Sequence, residues 1–239
     1  MKRRACILVS AGIFLLALLG APGSGGAYLL SPAFVLKKMV RNYRSLQSIT
    51  VNQRVEAYGE DTTYPFATVD EKVVLEPIVP MKIWVGGKAV SQDAGLDTKL
   101  DINPFLIEAQ NRYGFYKDVF LNHQVNLVTS LLGRLGIVPA EDRLRLVYPD
   151  IAYQVGNALS EENLKGLWID KDRFVPLRLV GVVTRQREDG TPVQETVDIR
   201  YEDYRLVQEH FWIPFDVKFF VDGKLSLRMR AQSVTLVTY

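Results

Sequence analysis

The stretch Trp168-Ile169-Asp170-Lys171-Asp172-Arg173-Phe174 carries a D-x-D pair, a spacing that could hold a cation or bring two carboxylates to one substrate. It falls between two predicted strands, where aspartate is common because its side chain accepts turn N–H groups, so a turn is the simpler assignment. A hydrolase built on Asp170 or Asp172 would need those carboxylates to converge inside a cleft. His123 and His210 are far apart and outside any H-E-x-x-H or H-x-H spacing. There is no G-x-S-x-G, and the single cysteine, Cys6, has no histidine spaced to activate it. Glu161-Glu162, Glu188-Asp189 and Glu202-Asp203 read as adjacent charges in loops or on solvated faces. No glycine-rich phosphate loop follows a strand and opens a helix. The expectation is a non-enzymatic protein with no catalytic residue, no metal and no cofactor.

Composition narrows the class further. The chain has 239 residues and is 48% hydrophobic, enough to bury a core and too much for a disordered chain. The 29 basic and 27 acidic side chains nearly balance, which argues against binding nucleic acid through bulk charge. Arg41, Tyr43 and Arg44 form a basic-aromatic cluster, but they fall on an amphipathic helix whose outer face is expected to be charged. Lys2, Arg3 and Arg4 precede an uncharged apolar run, Ala5 to Leu19, and a tail of small residues up to Ala27. That order is a secretory signal peptide, residues 1–27, with cleavage expected before Tyr28. The run falls short of the roughly 20 residues that cross a bilayer. Removing it takes away Cys6 and three basic side chains, leaving a thiol-free, nearly neutral single domain over residues 28–239.

The elements follow from periodicity. Ser31 is a good N-cap and Pro32 suits the first turn; Val35, Leu36, Met39, Tyr43 and Leu46 then recur at helical spacing, predicting a helix over roughly 31–47. The period changes to two: Ile49, Val51, Gln53, Val55 and Ala57 share one face, and Ala67, Val69, Glu71, Val73 and Leu75 continue it. Gly86-Gly87 and Asp222-Gly223 mark two-residue hairpins. Between about 104 and 135 the strand signal gives way to an aromatic, helical insertion. From Leu144 onward the chain reads as strand. About ten or eleven strands and three or four helices point to one α+β domain, a large antiparallel sheet with one apolar face covered by helices. A sheet of that many strands must curl or split. Its apolar face then encloses either a solid core or a cavity beneath a helical lid, and the pattern leaves both open.

The layout resembles the LolA/LolB-like periplasmic lipoprotein carriers and related outer-membrane lipoprotein-sorting proteins. The likeness lies in the signal peptide, the opening amphipathic helix and the strand start Ser48-Ile49-Thr50-Val51-Asn52-Gln53. It continues in Gly166-Leu167-Trp168-Ile169-Asp170-Lys171-Asp172-Arg173-Phe174-Val175-Pro176-Leu177-Arg178, in Tyr201-Glu202-Asp203-Tyr204 and in Trp212-Ile213-Pro214-Phe215 with Asp222-Gly223-Lys224-Leu225. The resemblance implies an unclosed β-barrel with a helical lid, the insertion 104–135, over an apolar cavity for two or three acyl chains. It implies a periplasmic, monomeric carrier that takes lipoproteins or lipids toward the outer membrane, with an inner-membrane export complex and an outer-membrane acceptor as hand-over partners. The alternative is a non-catalytic sensor or scaffold of the same fold that binds another protein. Two features depart from the family: Gly87-Lys88-Ala89-Val90 lacks the usual aromatic, and Arg54, the candidate counterpart of the family's lid-pinning arginine, falls on the polar side of its strand, so that role is not carried over.

The side chains expected to line a cavity are Val51, Val55, Val73, Leu75, Ile83, Tyr153, Leu177, Val197, Phe215 and Phe219 from strands. Leu36, Met39, Phe105, Leu106, Leu131 and Leu135 are expected from the covering helices. For each of them ordinary core is the competing assignment.

Overall fold

A computed structural model describes residues 30–77, 81–90, 103–138, 142–147, 150–156, 165–186 and 190–239, with the backbone alone described at residues 90, 103–111, 142–147, 150 and 186. The expected signal peptide lies outside the described residues. Ser31 caps the first helix, α1 (Pro32–Asn42), its hydroxyl accepting the Phe34 N–H at 3.3 Å, with Pro32 in the first turn. The helix stops five residues short of the predicted end. The Asn42 amide donates to the carbonyls of Arg173 and Phe174 at 2.7 and 3.1 Å, and the Tyr43 hydroxyl donates to the Trp212 carbonyl at 2.9 Å. Leu46 already pairs with Thr238 in the sheet. Tyr43 and Leu46 are buried at helical spacing, so they extend the periodic signal past the end of the helix.

The strands form one antiparallel sheet. They are β1 (Leu46–Ala57), β2 (Ala67–Leu75), β3 (Lys82–Val85), β4 (Lys88–Val90), β5 (Asp142–Val147), β6 (Asp150–Val155), β7 (Gly166–Asp170), β8 (Pro176–Gln186), β9 (Pro192–Val207), β10 (Phe211–Val221) and β11 (Lys224–Thr238). Their order is β4-β3-β2-β1-β11-β10-β9-β8-β7-β6-β5, eleven strands among the described residues. Two meanders thus join through the β1–β11 pair, and the sheet stays open, with β4 and β5 as its edges. The connection between those edges holds the other two helices, α2 (Asn103–Phe120) and α3 (Val125–Arg134). This is the expected α+β architecture, a curled open sheet with helices across its concave face. Gly86-Gly87 and Asp222-Gly223 take positive φ at both positions, as two-residue hairpins require.

Alternation governs most of the sheet. In β1, Ile49, Val51, Gln53, Val55 and Ala57 are all buried, while Arg54 faces out and pairs with Asp70 at 3.0 Å. Cross-strand ion pairs also join Arg178 to Asp198 and Lys218 to Glu202, and Arg200, on the same strand as Asp198, pairs with it too. Two stretches break the expected phase. In β6, Ala152 and Gln154 are fully buried while Ile151 is exposed. In β9, Asp203 adopts φ +50, and the side-chain phase shifts there: Tyr201 and Tyr204 both pack inward, the Tyr204 hydroxyl donating to the Pro176 carbonyl. Across the pair, Phe215 lies outside the buried cluster, 4.3 Å under the Arg205 guanidinium. No described helix is long and apolar enough to cross a membrane.

Candidate functional site

The concave face is mostly filled. Phe120 of α2 packs between Tyr43 (centroids 4.9 Å), Tyr116 (4.7 Å) and Tyr201 (5.7 Å). Burial pushes the Tyr116 and Tyr201 phenols up, so they are uncharged at any physiological pH. Leu36, Met39, Val51, Val55, Val73, Leu75, Ile83 and Leu177 belong to this buried cluster. Tyr153 is half-buried against Phe174, and Phe215 lies outside the cluster as described above. Phe105 and Leu106 fall within α2, but their side chains lie outside the described residues.

Leu131, Leu135, Val197 and Phe219 belong to the same buried cluster, and they also border a cleft of about 480 Å³ between α2, α3 and strands β8 to β10. Phe115 and Val183 complete its apolar floor, Phe115 lying 6.2 Å from Phe219. Alternation explains how the floor ends. On β8 the concave positions run Leu177, Leu179, Gly181, Val183 and then Arg185; on β9 Tyr201, Ile199 and Val197 lead to Glu195. Both apolar stripes terminate in charge, and Arg185 pairs with Glu195 at 2.8 Å. Opposite them, Arg134 at the end of α3 donates to Asp118 of α2 at 2.8 Å. The cleft is therefore an apolar slot with a charged rim. Its volume equals that of roughly sixteen groups of about 30 Å³, the share one water has in the liquid.

Gly181 sets how closely α3 approaches the sheet. A Cβ at this position would lie 2.6 Å from the Leu135 Cβ, so only glycine lets the end of α3 rest on β8. The Leu135 carbonyl accepts the Val182 N–H at 3.1 Å, engaging a backbone donor of β8 near the point where its pairing with β7 ends.

A second tie is polar. Gln53 and Glu71 oppose each other on the concave faces of β1 and β2, and Tyr113 of α2 comes down on both. The Gln53 amide donates to Glu71 at 2.7 Å, and the Tyr113 hydroxyl donates to the same carboxylate. Burial raises the Glu71 carboxyl above its ordinary value, and the nearby Arg112 charge offsets part of that rise. The alternation already puts Gln53 and Glu71 on the inward stripe, a legible signal of a buried polar pair; their helical partner carries no such local mark.

Asp170 and Asp172 do not converge in a cleft. Asp170 accepts the N–H groups of Asp172 (3.0 Å) and Arg173 (2.5 Å) and the Arg173 guanidinium at 2.9 Å, which makes it the organiser of the β7–β8 turn. Burial opposes its charge, but these hydrogen bonds outweigh the burial and hold the carboxyl below its usual value. Among the described residues no three His, Cys, Asp or Glu side chains gather where they could hold a metal.

No protein-family model matches the sequence, and no curated protein matches it. Solved structures do. A LolA superfamily protein from Nitrosomonas europaea is 9% identical, with a TM-score of 0.47 over 88% of this chain and 95% of that one. An outer membrane lipoprotein-sorting protein domain from Vibrio parahaemolyticus is 7% identical, with a TM-score of 0.43 over 85% and 91%. A DUF1329 family protein from Desulfovibrio piger is 8% identical, with a TM-score of 0.40 over 87% and 94%.

Proposed function

We propose that the protein is a non-catalytic periplasmic carrier that shields an acyl chain of a lipoprotein or lipid and moves it toward the outer membrane. The observation that supports this is the apolar slot under α2 and α3, floored by Phe115, Leu131, Leu135, Val183, Val197 and Phe219 and open at a charged rim. Each methylene taken from water contributes about 0.8 kcal/mol, so a single long chain is held without any covalent chemistry. Hand-over to an acceptor is the expected last step, and a cleft that opens at a charged rim suits it.

Organic extraction of the purified protein followed by mass spectrometry should recover acyl-bearing molecules, and added lipid should displace a neutral apolar dye. Val183→Trp, which fills the slot, should abolish both signals while changing stability by no more than about 1–3 kcal/mol. Retention of lipid by this variant would place the acyl site elsewhere. A sensor or scaffold role is favoured by one observation, the largely filled concave face; it predicts that no lipid co-purifies and no dye is displaced.

A further inference from the structure

We propose that the occupant of the slot is a single-chain acyl compound ending in an anionic group, a carboxylate or a phosphate, with that group at Arg134. This rests on the carrier reading and specifies its ligand. The slot accommodates one chain, and its apolar stripes on β8 and β9 end in charge where a head group would emerge.

Arg134 is the suited partner at that rim. Its side chain is 66% exposed, and Asp118 engages it through Nη2 at 2.8 Å. A guanidinium presents five donors in a planar fork, so an incoming carboxylate or phosphate can bind the outer edge while Asp118 keeps the fork in place. Arg185, held by Glu195, adds a second positive group to the lining of the same slot. The last carbonyls of α3 do not oppose an anion strongly, because the N–H groups of Leu135, Gly136 and Ile137 cap Leu131, Gly133 and Leu132. Asp118, at 28% exposure, is the group an anion must approach, and it limits affinity.

The experiment is displacement of a neutral apolar dye from the delipidated protein by hexadecanoate, hexadecyl phosphate and hexadecan-1-ol. At low salt the two anions should compete about tenfold better than the alcohol, the gain expected of one charge-assisted contact. Salt should shrink that advantage. Arg134→Gln should remove most of it and leave the alcohol unchanged, while Asp118→Asn should strengthen the anions alone, an opposite sign that a purely structural ion pair would not give. Which anion competes better identifies the head-group source. Equal competition by all three compounds, or equal weakening of all three in Arg134→Gln, overturns the head-group assignment and leaves the carrier reading standing. Failure of all three to compete overturns both.

Discussion

Glu71 is a carboxylate that the fold buries at a cost and then uses. Its raised proton affinity means that the folded protein binds a proton that the unfolded chain releases as pH rises above the ordinary glutamate range. Stability contributed by this residue is therefore greatest at low pH and falls as pH climbs through the raised folded value. Glu71→Gln should remove that fall, so the stability difference between variant and wild type should grow from acid toward neutral pH. Urea denaturation across that range tests it; a difference independent of pH would show that Glu71 binds its proton equally well in the folded and unfolded states. Tyr113→Phe should cost about 1–3 kcal/mol in the same assay at neutral pH, because it leaves the buried carboxylate short of a donor. The inward phase of Gln53 and Glu71 is legible from strand alternation. Their partner Tyr113 is not, since it arrives from a helix far along the chain.

At the scale of elements, the covering helices are held by close approach more than by their own sequences. α3 ends on β8 because Gly181 has no side chain, and the Leu135 carbonyl bonds to Val182. Gly181→Ala should lift the helix end and destabilise the protein by about 1–3 kcal/mol in thermal or urea unfolding, with dye affinity altered as the slot widens. A silent substitution would show that α3 already sits off the sheet. Helix positions were readable from spacing: Asn103 starts α2 and Gly136, at φ +68, follows α3. The end of α1 was not, because Tyr43 and Leu46 continue the helical period while their hydrogen bonds belong to the sheet.

For the whole molecule, the pairing of β1 with β11 makes one sheet of two meanders. Truncation before Lys224 removes the strand that joins them, so the shortened chain should lose its single cooperative unfolding transition in circular dichroism; retention of that transition would show the meanders fold separately. The sequence by itself determined the antiparallel strands, the helical insertion, the inward stripes and the turn role of Asp170, because alternation, capping and turn chemistry act over a few residues. Only the tertiary structure decided which of the buried apolar residues also border a slot. That division depends on how near the helices approach the sheet, which is set by contacts such as Leu135 on Gly181 and Tyr113 on Glu71 between residues far apart in the chain. The phase shift at Asp203, which places Phe215 under Arg205 and Tyr204 in the core, was likewise decided by packing, because a single left-handed residue leaves no periodic trace.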